Sequence, residues 1–283
     1  MREMRTHDCE ATLTDSEAMD FCREGYLVLE AVVPEEINKR TCEFLLQNER
    51  TEQLLEEDWF VDNVILNAQA AGAVRSLLGS NFKLTMPFIF NHLAQEPMEP
   101  QAWHRDGSSH YGPELDSLQV FYYPQDTPVE LGPTEVLPGS HFLFGGFSHM
   151  DHYRNFKGVV STAAPAGSIF LTVYPVWHRR GKATSAGRRN LLKYWYTRTV
   201  APQRDWVTEP GLELAHAYHR TDFNIDHRET HRAMDDTAEM FYWLCGEHEK
   251  CRAWSNNLPV YYYESSESCL QCGHEAAARK ARG

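Results

Sequence analysis

His104, Arg105 and Asp106 place two side chains of metal-binding type one residue apart. A second histidine, His178, lies far downstream, and Arg189 follows it by eleven positions. Two histidines and one carboxylate are the protein ligands of a non-haem Fe(II) facial triad, which leaves open positions for a cosubstrate and oxygen. Residues i and i+2 of a strand share a face, so His104 and Asp106 can point together while Arg105 turns elsewhere. His178 must then come from another strand. Nitrogen plus one carboxylate, without thiolate, suits Fe(II) better than structural zinc, although Zn(II) can occupy the same ligands. By itself a His-x-Asp tripeptide is a common chance occurrence, usually solvated charge. The surrounding elements must decide.

Thr14 and Glu17 form a capping-box pattern ahead of a short helix over 14–24, which Gly25 breaks. Residues 26–29 read as a strand. Pro34 opens a second helix to about Asn48, expected to bury Ile37, Cys42, Leu45 and Leu46 on one face. A third helix covers 68–78 and ends at Gly79. From about Phe82 the texture changes to short runs rich in aromatic and β-branched residues, at 83–91, 118–123, 135–137, 168–173 and 190–198. Gly and Pro punctuate them, which predicts a barrel or sandwich. Residues 221–251 return to a helical pattern, with Met234, Ala238, Phe241, Tyr242 and Cys245 on one face. No linker separates this region. The chain is therefore expected to form one domain over 1–283, with 201–283 packed on the barrel as an extension or lid.

Composition bounds the function. Apolar residues make up 42% and aromatics 12% of the 283 residues, enough for a sizeable core. The net charge of −13, with no basic cluster, argues against a nucleic-acid partner. No apolar stretch is long enough for a bilayer, and the charged first ten residues lack a signal-peptide core. Seven scattered cysteines fit a reduced, cytoplasmic protein, which also suits a ferrous site.

Several separate blocks occur in a telling order. The stretch from Gln101 to Gly107 is followed by Gly132-Pro133-Thr134-Glu135-Val136-Leu137-Pro138-Gly139-Ser140-His141. Then come Ala166-Gly167-Ser168-Ile169-Phe170, Trp177-His178 and Gly187-Arg188-Arg189-Asn190-Leu191. Over about residues 12–200 this series resembles the phytanoyl-CoA dioxygenase family of Fe(II)- and 2-oxoglutarate-dependent oxygenases. The opening, with Glu24-Gly25-Tyr26 and Val33-Pro34-Glu35-Glu36, is similar too. The resemblance implies a mainly β protein with flanking helices, built on a double-stranded β-helix (jelly-roll) core. It also implies His104, Asp106 and His178 as iron ligands, O₂ as oxidant, and Arg189 on the distal carboxylate of 2-oxoglutarate. The planar guanidinium suits bidentate pairing with a carboxylate. Arg188 competes for that role, but the family's spacing from the second histidine favours Arg189.

Asn91 and Tyr122 fall where family members have cosubstrate-pocket side chains, and ordinary barrel packing accounts for either equally well. Related halogenases replace the triad carboxylate to admit chloride, so Asp106 favours hydroxylation or another oxidation. The substrate is expected to be a small organic molecule, met by residues near the metal: Arg105, His110, Tyr111 and Arg180. A divalent-metal jelly-roll hydrolase or isomerase is the alternative, as is an inactive binding barrel. Neither needs Arg189. Cys269 and Cys272 resemble half a zinc site without its other ligands. His227 and His231 lack the glutamate order of a zincin and read as surface residues. Oligomeric state is not legible.

Overall fold

The computed structural model describes residues 9–48, 50–85, 90–106, 112–143, 149–150, 154–210 and 227–249. Helix α1 (Asp15–Glu24) begins at the expected capping box, with the Thr14 hydroxyl accepting from the Glu17 N–H and the Glu17 carboxylate accepting from the Thr14 N–H. It ends at Gly25, whose φ of 78° lies in the left-handed region where a Cβ is costly. A side chain there would also collide with the His141 ring. Strand β1 (Tyr26–Leu29), helix α2 (Glu35–Gln47) and helix α3 (Ala68–Leu78) follow. The buried face of α2 is Ile37, Asn38, Thr41 and Leu45, whereas Leu46 is exposed and Cys42 half-buried. Ile37 and Leu45 are buried as expected, but two polar residues take the places expected for Cys42 and Leu46. Asn38 donates to the Val33 carbonyl at 3.1 Å, and Thr41 donates to the Ile37 carbonyl at 2.8 Å.

Ten more strands complete two antiparallel sheets: β2 (Lys83–Leu84), β3 (Phe90–Asn91), β4 (Trp103–His104), β5 (Ser117–Tyr123), β6 (Thr134–Val136), β7 (His149–Met150), β8 (Val160–Ser161), β9 (Ser168–Val173), β10 (His178–Arg180) and β11 (Leu192–Thr197). The larger sheet runs β1-β9-β5-β11-β2, with β3 also on β11. The smaller runs β7-β4-β10-β6-β8. This is the expected jelly roll with helices outside.

Side-chain alternation gives each sheet two different faces. From β5, Leu118, Val120 and Tyr122 join the core shared with the helices, alongside Ile169, Leu171, Leu192, Tyr194 and Tyr196. The opposite face turns Phe121, Tyr123 and Phe170 into the barrel, where the Phe121 and Phe170 rings stack at 4.4 Å. Helix α4 (His227–Leu244) contributes Ala238, Met240, Phe241 and Leu244 to the helical core, and Trp206 meets Phe241 edge-on. Buried Asp15 at the start of α1 accepts from Trp206 Nε1 at 2.8 Å and pairs with Arg204. Cys269 and Cys272 lie outside the described residues. Among the described residues no helix is long and apolar enough to cross a membrane.

Candidate metal centre

His104 and His178 are direct register partners on β4 and β10, so their rings leave the same side of the smaller sheet. Their ring centroids are 4.5 Å apart. Asp106 sits just past the end of β4 and returns its carboxylate to the pair. Oδ1 lies 3.9 Å from His104 Nε2, and Oδ2 lies 3.3 Å from His178 Nε2. One ligand atom from each of the three falls within 4.8 Å of the others.

The imidazoles are oriented for coordination. His104 Nδ1 lies 3.0 Å from the Ala102 carbonyl, and His178 Nδ1 lies 3.0 Å from the Val176 carbonyl. A carbonyl only accepts, so each Nδ1 carries the proton and each Nε2 offers its lone pair to the centre. Burial and the neighbouring His178 lower the His104 pKa, which keeps that lone pair free near neutral pH. Burial alone would raise the Asp106 carboxyl, but His178, when it carries a proton on Nε2 as well, and Lys193 outweigh it and hold the group well below the usual range.

The residues flanking the ligands fix the register from the other face. Arg179 stacks over Trp103 at 4.6 Å, and Arg105 stacks over Trp177 at 5.1 Å, so each ligand strand lends a cation to the other's indole. Such contacts contribute about 0.5–2 kcal/mol each, more when desolvated. Arg105 also donates to the Leu143 carbonyl at 3.2 Å. Arg105, expected near the substrate, is placed by alternation on the face away from His104 and His178.

The larger sheet supplies the rest. Gln119 Nε2 donates to Asp106 Oδ2 at 2.7 Å, while the Thr172 hydroxyl donates to Gln119 Oε1 at 3.3 Å and fixes which end of the amide is which. Lys193 pairs with the same carboxylate oxygen and lies 5.4 Å from the Phe121 ring. Gln119 and Lys193 escaped the sequence reading. Their signal was parity: Gln119 is the one amide in an aromatic strand, and Lys193 lies four places after Arg189, on the same side of the strand.

Arg189 is 1% exposed and precedes β11, bridged through its backbone to Ala94. Its Nη2 donates to the His92 carbonyl at 3.3 Å, and the Tyr123 hydroxyl lies beside it, but Nε and Nη1 are buried without a partner. Burial lowers its pKa, with Tyr123 offsetting part of the effect. Arg188 instead turns outward and donates to the Leu45 carbonyl at 3.2 Å. Arg180 shares the inner face of β10 with His178, by the same i, i+2 rule.

Two expected pocket residues are placed elsewhere. Tyr122 faces the helices and donates to Asn38 Oδ1 at 2.6 Å, while Tyr123 is the tyrosine inside the barrel. Asn91 is occupied by Asn190 Oδ1 at 3.0 Å and the Leu191 N–H at 3.2 Å, a link that braces β3 against β11. His110 and Tyr111 lie outside the described residues. Around the open side of the triad stand residues from loops and edges that no sequence pattern marked. The His149 ring stacks on His104 at 5.9 Å. Burial, then the charges of Lys193 and Arg189, push the His92 imidazole down to about 4. Burial and the charge of Asp106 raise the Tyr174 hydroxyl.

Comparison with known proteins bears on this arrangement. An uncharacterised protein of Mycobacterium tuberculosis is 27% identical over 111 residues, which is 39% of this chain and 40% of the relative, so the match spans well under half of that protein's length. Among solved structures, HygX from Streptomyces hygroscopicus superposes with a TM-score of 0.54 at 15% identity, over 69% of this chain and 89% of its own. The carbocyclase SnoK from nogalamycin biosynthesis superposes with a TM-score of 0.52 at 18% identity, over 76% and 94% of the two chains. These likenesses establish the fold. The model of the phytanoyl-CoA dioxygenase (PhyH) family matches residues 11–191, the stretch that carries His104, Asp106, His178 and Arg189. The chain belongs to that family.

Proposed function

We propose that this protein is an Fe(II)- and 2-oxoglutarate-dependent dioxygenase that hydroxylates a small organic molecule and releases succinate and CO₂. The observation that carries this reading is the convergence of His104, Asp106 and His178, both imidazoles turned metal-ward by their carbonyl partners, beside an arginine with unpartnered buried N–H groups. Two histidines and a carboxylate suit ferrous iron, and a 2-oxo dicarboxylate gives Arg189 the anion it lacks.

His104, Asp106 and His178 would hold the iron, with Gln119 keeping the carboxylate aimed. Arg189 would hold the distal carboxylate of 2-oxoglutarate, assisted by Tyr123. When bound, iron and 2-oxoglutarate supply oxidation of a C–H bond by O₂, coupled to decarboxylation of the cosubstrate. Phe121 and Phe170 line the interior between these groups and exclude water from it. Lys193, His92, His149 and Tyr174 stand around the open side, where the organic substrate would enter.

Three solved relatives support the class. HygX has been crystallised with nickel, 2-oxoglutarate and hygromycin B bound, the epimerase SnoN with Fe³⁺, α-ketoglutarate and nogalamycin RO, and SnoK is an α-ketoglutarate-dependent carbocyclase. Outcomes thus differ on one fold; Asp106 fills the position that chloride would need, which counts against halogenation and leaves hydroxylation, proposed here, or another oxidation. A zinc hydrolase or an inactive barrel leaves the orphaned guanidinium of Arg189 unexplained.

The test is anaerobic addition of Fe(II) and 2-oxoglutarate, watching for the visible charge-transfer band of the chelate. His104→Ala should abolish the band. Arg189→Ala should keep iron binding and demand about 10- to 100-fold more 2-oxoglutarate, the cost of a charge-assisted hydrogen-bond pair. A folded wild-type protein with no band, and no succinate formed in air, would refute the proposal.

A further inference from the structure

Arg189 is not the only guanidinium in the barrel with idle donors. Nη1 of Arg180 is also buried without a partner. The two guanidiniums lie close enough for their like charges to interact. Backbone register explains why they meet. Arg180 on β10 pairs with Thr134 on β6, and the Thr134 N–H donates to the Tyr123 hydroxyl at 3.0 Å. That hydroxyl in turn lies beside Arg189. Arg180 and Arg189 therefore flank one Tyr123–Thr134 contact at the end of the barrel reached by running two residues past His178.

Two like charges held together with orphaned N–H groups are unfavourable unless an anion joins them. The Arg180 backbone is also fixed, its N–H donating to Gln101 Oε1 at 3.0 Å. Arg179, one residue earlier, shows the contrast. It is fully engaged on the other face by Glu135 at 2.6 Å and by the Arg154 carbonyl at 2.5 Å.

We infer that Arg180 and Arg189 together form a two-guanidinium clamp for the distal carboxylate of the 2-oxo acid, and that Arg180 sets the preference for a dicarboxylate cosubstrate. This moves Arg180 from the substrate side to the cosubstrate side, and it rests on the proposed use of 2-oxoglutarate. A carboxylate has lone pairs enough for both forks, so neither arginine excludes the other.

The experiment compares 2-oxoglutarate with 2-oxobutanoate, which keeps the chelating 2-oxo acid end and lacks the distal carboxylate. Both are titrated anaerobically into Fe(II)-loaded wild-type, Arg180→Gln and Arg180→Lys proteins, read from the charge-transfer band. Metal affinity is measured separately with Co(II). Arg180→Gln should weaken 2-oxoglutarate about 10- to 100-fold and leave 2-oxobutanoate and Co(II) binding unchanged. Arg180→Lys should recover part of the loss. Equal weakening of both acids would make Arg180 merely structural and overturn the inference, as would an unaltered 2-oxoglutarate titration. A wild-type protein without any band would bring down the cosubstrate assignment itself, and this inference with it.

Discussion

Replacing Gln119 with leucine should loosen the metal site without touching a ligand. The side chain is buried and donates to Asp106 Oδ2 at 2.7 Å, and leucine fills nearly the same volume. A hydrogen bond to a charged acceptor contributes about 1.5–3 kcal/mol net. Loss of an outer partner of a metal ligand typically costs 10- to 100-fold in metal affinity, which is the same range. Lys193 remains on the carboxylate in the variant, so the loss should not exceed it. Co(II) titration, followed through the visible bands of the bound ion, measures the affinity directly. Thr172→Val removes only the hydroxyl that fixes the Gln119 amide, and should give a smaller loss in the same direction. If folded Gln119→Leu protein binds Co(II) within about twofold of wild type, Asp106 is not held by this contact, and the argument from outer-partner energetics fails.

Lys193 should act in the opposite sense. Its ammonium shares the Asp106 oxygen and repels a divalent ion nearby, so Lys193→Met should tighten Co(II) binding by about tenfold or more; a weaker affinity would mean that lysine supports the site. A second expectation concerns pH. His141 is buried with Nε2 2.9 Å from the Cys22 carbonyl, and burial pushes its pKa down to about 4. The unfolded chain binds that proton near the ordinary value of about 6.5 while the folded chain does not. Stability from this group is complete above that value and is lost as pH falls from there towards 4. Denaturant titrations should lose about 2–3 kcal/mol between pH 7 and 4.5 from His141 alone, and His141→Gln should flatten that slope. An unchanged slope in the variant would assign the acid sensitivity elsewhere.

The candidate ligands were legible because strand parity and metal chemistry both act locally: His104 and Asp106 had to share a face, and His178 had to be partnered from another strand. The structure adds that the two histidines are register partners. Arg189 was separable from Arg188 by family spacing, and the structure turns the two to opposite sides. Tyr122 was placed by family position and not by parity, since an all-buried strand gives no polar alternation to show which residues face inward; Gln119 carried that clue. Leu46 was misplaced for a related reason. The α2 face that meets β5 is partly polar, and its Asn38 exists for the Tyr122 hydroxyl, a contact between residues far apart in sequence. His92, His149 and Tyr174 come together through loops and an edge strand, where no period marks a residue.

Strand β5 links two contacts that have so far stood apart. Tyr122 is tied to helix α2 through Asn38, and Gln119, on the same strand and the opposite face, is tied to Asp106. The histidines belong to the other sheet. The proposed coordination sphere would thus be split mechanically, with the two histidines riding on one wall of the sandwich and the carboxylate braced from the other. A shift of α2 against the sheet would travel along a stiff strand and change the carboxylate's aim while leaving the imidazoles where they are. The gap between the walls, rather than any single loop, becomes the dimension on which metal geometry depends.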